Sequence, residues 1–108
     1  MAYDQGLAER VRDALLRVGE QGVREKNVFG GRGFLFGKKT FLVVMDDGLL
    51  VKTAPDQYED LLRLPGVERF APNEERAMST WIVASADATA DDSDLAEWVA
   101  RGVRGVRG

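Results

Sequence analysis

The chain contains no cysteine and no histidine, and only three prolines in 108 residues. Without cysteine, a disulfide frame, a thiol nucleophile and a zinc-thiolate site are excluded. Without histidine, the usual general base and the commonest metal ligand are missing too. Carboxylate, lysine, tyrosine or serine chemistry stays open, but it requires groups that converge. Long apolar runs are also absent. The longest, Phe41 to Met45, falls far short of a membrane span, and the opening MAYDQGLAER has no basic region followed by an apolar core. The expectation is a soluble, cytoplasmic protein with no membrane partner.

What is present suits one compact domain: 44% of the residues are apolar and 31% charged, enough to bury a single core. A net charge of −3 argues against a surface built throughout for nucleic acid or anionic membrane, and confines such binding to a local patch.

Periodicity gives the order helix, strands, helix, strands, helix. Leu7, Val11, Ala14, Leu15 and Val18 recur at spacings of three and four, which is one amphipathic helix with Asp4 as N-cap and Gly19 or Gly22 as terminator. VREKNVF, GFLF and TFLVVM then read as strands, the last continuously apolar and so buried on both faces. Gly30-Gly31, Gly37-Lys38 and Asp47-Gly48 mark reversals, and Leu49 to Thr53 a fourth strand, in an antiparallel meander. Pro55 suits the first turn of a short helix with Tyr58, Leu61 and Leu62 on its apolar side, ended by Pro65-Gly66. Two extended segments follow, Val67 to Phe70 and Met78 to Ala84, joined by APNEER. A last helix begins within DDSD, with Leu95, Trp98 and Val99 inward. Trp81 and Trp98 are both expected in the core. The tail ARGVRGVRG reads as a frayed, basic terminus, so the domain is expected over 1–101 and a flexible tail over 102–108.

Three groups invite a ligand. Asp91, Asp92, Ser93 and Asp94 lack the alternate spacing, bend glycine and distant glutamate of a calcium loop, and read as helix-capping residues. NVFGGRGFLFGKK, residues 27–39, has neither a phosphate-loop nor a dinucleotide pattern and runs on into strand, so Gly30, Gly31 and Gly33 read as hairpin glycines. Asp46, Asp47, Tyr3 and Tyr58 are the best catalytic candidates and have no visible reason to converge. No catalytic, cofactor or metal site is therefore assigned.

The run VREKNVFGGRGFLFGKKTFLVVMDDGLLVK, with a helix before it and the Met78 to Trp81 strand and the Asp94-Leu95 to Trp98 helix after it, resembles the N-terminal domain of the TfoX/Sxy competence-regulator family. The most specific part is Phe29-Gly30-Gly31 after a basic-rich strand. The resemblance implies a two-layer α+β fold, α-β(3 or 4)-α-β(2)-α, similar to that of secretion chaperones, and a regulatory rather than catalytic role. Family members usually carry methionine where this chain has Val28 and often tyrosine where it has Leu50. Full regulators also carry a second helical domain that these residues do not include.

Two functions remain. One is a protein-interaction or regulatory module whose sheet edges pair with a partner or with a second copy. The other is nucleic-acid binding through residues 24–39, where Arg24, Lys26, Arg32, Lys38 and Lys39 outnumber the single acid Glu25 and alternate with Phe29, Phe34 and Phe36. The candidate interaction surface common to both is Arg24, Lys26, Phe29, Gly30, Gly31, Arg32, Gly33, Lys38 and Lys39. The aromatics have a competing reading as core residues of strands whose charges are merely solvated.

Overall fold

The computed structural model describes residues 3–28, 30–71 and 80–107. Helix α1 (Gln5–Arg17) is followed by strands β1 (Val23–Val28), β2 (Gly31–Phe36), β3 (Lys39–Val44) and β4 (Gly48–Lys52). The short helix α2 (Tyr58–Leu61), strands β5 (Val67–Arg69) and β6 (Trp81–Ser85) and helix α3 (Asp92–Arg107) complete the order. The fold is α+β: one antiparallel sheet in the order β1-β2-β3-β4-β6-β5, with β1 and β5 at its edges.

The ends of α1 follow from local chemistry. The Asp4 carboxylate accepts the Leu7 N–H at 3.0 Å. At the other end Gly19, at φ 75°, lets the Glu20 N–H reach the Leu15 carbonyl and its own N–H reach that of Leu16. Leu7, Ala8, Val11, Ala14 and Leu15 are buried against the sheet.

Strand register sorts the side chains. Phe34, Leu42, Val51 and Ile82 are in line across β2, β3, β4 and β6, as are Val44, Leu49, Ala84 and Val67, and all eight belong to the core shared with the helices. The opposite face carries Leu35, Val43 and Leu50, which are also buried, so β3 and β4 are covered on both sides as the apolar run of β3 requires. β1 is different: none of its residues is fully buried, with Val23, Glu25 and Val28 half-buried and Arg24, Lys26 and Asn27 exposed.

Three expectations need correction. The β3–β4 reversal is not Asp47-Gly48. Val44 pairs with Leu49 while the chain bends at Asp46 and Asp47, and Gly48 already belongs to β4, where a Cβ would lie 2.7 Å from the Ala84 carbonyl oxygen. Trp81 is only half-buried, opposite Lys52 in register and outside the shared core, whereas Trp98 is buried.

The third correction concerns the tail. Residues 102–107 are the last turns of α3, not a frayed arm. Gly102 and Gly105 are what allow it: a Cβ would lie 2.9 Å from the Phe41 carbonyl oxygen at the first position and 2.4 Å from that of Lys52 at the second. Val103 and Val106 pack on the core, and the Arg107 guanidinium lies 4.4 Å from the centre of the Phe36 ring while pairing with Glu20 at 3.0 Å. The 1–101 boundary therefore cuts through a packed helix.

The start of β6 expected at Met78 and most of the APNEER loop lie outside the described residues.

Candidate interaction surface

Arg24, Lys26, Lys38, Lys39 and Arg32 look alike in the sequence and differ in the fold. β1 and β2 pair from Val28 and Gly31 back to Val23 and Phe36, so Val23, Glu25 and Asn27 share the helix-covered face with Arg32, Phe34 and Phe36. Arg24 and Lys26 stand on the opposite face and are exposed.

On the covered face Glu25 is held by two arginines. Arg12 of α1 donates from Nη2 to Oε1 at 2.8 Å and from Nε to Oε2 at 2.9 Å, and Arg32 donates from Nε to Oε1 at 3.0 Å. The Arg12 hydrogen bond holds the Glu25 carboxyl below its ordinary 4.5, against the opposing effect of burial and with help from Arg32. The same bond raises the Arg12 guanidinium above its ordinary value. Arg12 therefore fastens α1 to the sheet through Glu25, and Arg32 is spent on Glu25 and on the Asn27 Oδ1 at 3.2 Å.

The aromatics go the same way. Phe34 is fully buried and Phe36 stacks on Phe41 with ring centres 4.7 Å apart. Neither is available to stack on a base, and the core reading of these rings is the one the fold supports. Phe29 lies outside the described residues.

The hairpin glycines serve geometry. Gly30, at φ 78°, lies in the short reversal between Val28 and Gly31, and Gly37, at φ 60°, opens the two-residue turn between Phe36 and Lys39. Gly31 and Gly33 lie within β2, where a Cβ would meet the Val44 carbonyl oxygen at 2.4 Å and Val28 Cγ2 at 2.6 Å.

What remains exposed is Arg24, Lys26, Lys38 and Lys39. Arg24, Lys26 and Lys38 border an open cleft of about 370 Å³, together with Glu25, Leu35 and Gly37. Lys39 begins β3 outside it. Beside the cleft runs the outer edge of β1. A two-residue reversal leaves its flanking pair hydrogen-bonded and the pairs then alternate, so Val28, Lys26 and Arg24 bond to β2. The N–H and C=O groups of Val23, Glu25 and Asn27 face outward, and among the described residues none of them has a hydrogen-bond partner. Sequence reading named the cations but not these backbone groups, because the sheet order that leaves β1 at an edge is not a local property.

The other candidates do not gather. Asp46 and Asp47 form a bend, Tyr58 opens α2, and Tyr3 and Tyr58 pack on the core. Among the described residues no hydrogen bond joins any of their side chains. Asp92 pairs with Arg10 at 3.1 Å at the start of α3, and among the described residues no cluster of acidic side chains is arranged to hold a metal ion. No helix of the described residues is long and apolar enough to cross a membrane.

The fold and the charged edge define a small α+β domain, helices packed on one face of an open antiparallel sheet. The TfoX N-terminal domain family matches residues 13–106, nearly the whole chain, and the chain belongs to that family. Comparison with curated proteins gives no match.

Proposed function

We propose that this chain is a non-catalytic regulatory module that acts by binding another polypeptide, in the competence or transcriptional control that the family resemblance implies. The observation that carries the reading is the open edge of β1, six residues long against three for β5 at the other edge. Long edges with unpaired backbone groups pair readily with other chains unless they are blunted.

A nucleic-acid reading is weaker on this surface. Arg32 is engaged with Glu25 and Phe34 is buried, which leaves cations without described aromatics beside them. Affinity capture of the tagged chain from its native lysate, with and without nuclease, separates the two. A polypeptide retained in equal amount after nuclease supports the module. Recovery that disappears with nuclease, or no retained polypeptide at all, removes it.

A further inference from the structure

We infer that the edge of β1 accepts an acidic segment of another polypeptide as an added strand, the segment's backbone bonding Val23, Glu25 and Asn27 and its carboxylates meeting Arg24, Lys26 and Lys38. The inference rests on the interaction reading above and adds to it a surface and a partner chemistry.

Charge complementarity selects the occupant. Among the described residues Arg24, Lys26 and Lys38 form no ion pair, although the chain as a whole is acidic at −3. On the covered face of the same strand Glu25 is already matched by Arg12 and Arg32, so the uncompensated charge at this edge lies on the cleft side and is positive. A strand laid along β1 presents alternate side chains to that cleft, about 7 Å apart, which is the spacing of Arg24 and Lys26 themselves. Acidic residues at every second position therefore meet the cations, while the residues between them turn to the other face.

A second copy of the chain fits poorly. Antiparallel pairing of two β1 strands centred on Glu25 sets Arg24 of each opposite Lys26 of the other, and like charges directly opposed across strands are unfavourable. The arrangement blunts self-association while leaving the edge open to a strand of opposite charge. Nucleic acid satisfies the cations but leaves the outward N–H and C=O groups of Val23, Glu25 and Asn27 without a ladder.

The test uses the intact chain and three fluorescein-labelled probes: a heptapeptide alternating glutamate and valine, the same peptide with lysine for glutamate, and a short single-stranded oligonucleotide. Anisotropy is expected to show saturable binding of the acidic peptide and none of its lysine counterpart. Two variants divide the interaction. Arg24→Glu with Lys26→Glu reverses the charge on exposed side chains. Asn27→Pro keeps every charge and removes one outward N–H, along with the exposed bond from Arg32 to the Asn27 side chain, a change that an edge strand tolerates. Each is expected to weaken the acidic peptide by about tenfold or more, with melting curves verifying that both variants fold.

Equal binding of the two peptides, no binding of the acidic one, or an acidic peptide indifferent to Asn27→Pro overturns the inference. So does an oligonucleotide that outcompetes the peptide and ignores Asn27→Pro, which assigns the cations to phosphate. A polypeptide captured from lysate equally by wild type and by the double charge variant also overturns the β1 assignment, yet leaves the interaction module standing.

Discussion

Arg12 and Glu25 join α1 to the edge strand through two hydrogen bonds, Nη2 to Oε1 at 2.8 Å and Nε to Oε2 at 2.9 Å. This fork matches a planar guanidinium to a carboxylate, and Arg32 supports it from β2. Removing Glu25 strands two arginines that are each more than half covered. Glu25→Gln is expected to cost about 2 kcal/mol in denaturant unfolding at neutral pH.

The same contact gives an acid dependence. The folded-state value of Glu25 is depressed below its ordinary 4.5, so its stabilisation is present above 4.5 and is lost as pH falls through the folded value. The gap in melting temperature between wild type and Glu25→Gln should be full at neutral pH and close progressively below 4.5. A gap independent of pH would place the stabilisation elsewhere.

At Gly105 the usual sign of a substitution should invert. Glycine to alanine in an exposed helix gains about 1 kcal/mol, but here the added methyl meets the Lys52 carbonyl oxygen at 2.4 Å. Gly105→Ala is expected to destabilise by about 1–3 kcal/mol. Truncation after Arg101 should lower the melting temperature further, since it also removes Val103, Val106 and the Arg107 contacts with Phe36 and Glu20. A truncated chain that melts with the wild type would restore the frayed-tail reading.

The two tryptophans should separate under mutation. Trp98 is 3% exposed, donates its ring N–H to the Ala88 carbonyl at 3.1 Å and carries Arg101 over its ring, and its replacement by alanine is expected to cost about 3–5 kcal/mol. Trp81, half-buried on the opposite face of the sheet, should cost clearly less. Equal losses in thermal unfolding would contradict the assignment of Trp81 outside the shared core.

Much of the fold is legible in the sequence because it is local. The Leu7, Val11, Ala14, Leu15 stripe and the Asp4 cap define α1, and the apolar run through Phe41 to Val44 marks a strand covered on both faces. Misread positions are those decided by contacts remote in sequence. Arg-Gly-Val composition looks too polar and too flexible to fold, yet Gly102 and Gly105 are small because Phe41 and Lys52 lie against them. Gly48 follows an aspartate as a turn glycine would, but its size is set by Ala84 across the ladder.

The candidate surface was legible in residue type and not in grouping. Arg24, Lys26 and Arg32 lie within nine residues, and the β1–β2 register puts the first two on one face and the third on the other. Glu25 counts in the sequence as a lone acid among cations, whereas in the fold it is already engaged by Arg12 and Arg32. Its neutralisation on the covered face leaves the cleft side of β1 positive.

The most direct test of the account is amide hydrogen exchange across residues 23–28, measured on the free chain and on the chain holding the polypeptide it retains from lysate. The account predicts that Val23, Glu25 and Asn27 exchange freely alone and become protected in the complex, as an added strand requires. Exchange unchanged along β1, with protection appearing instead on another element such as α3, would contradict it.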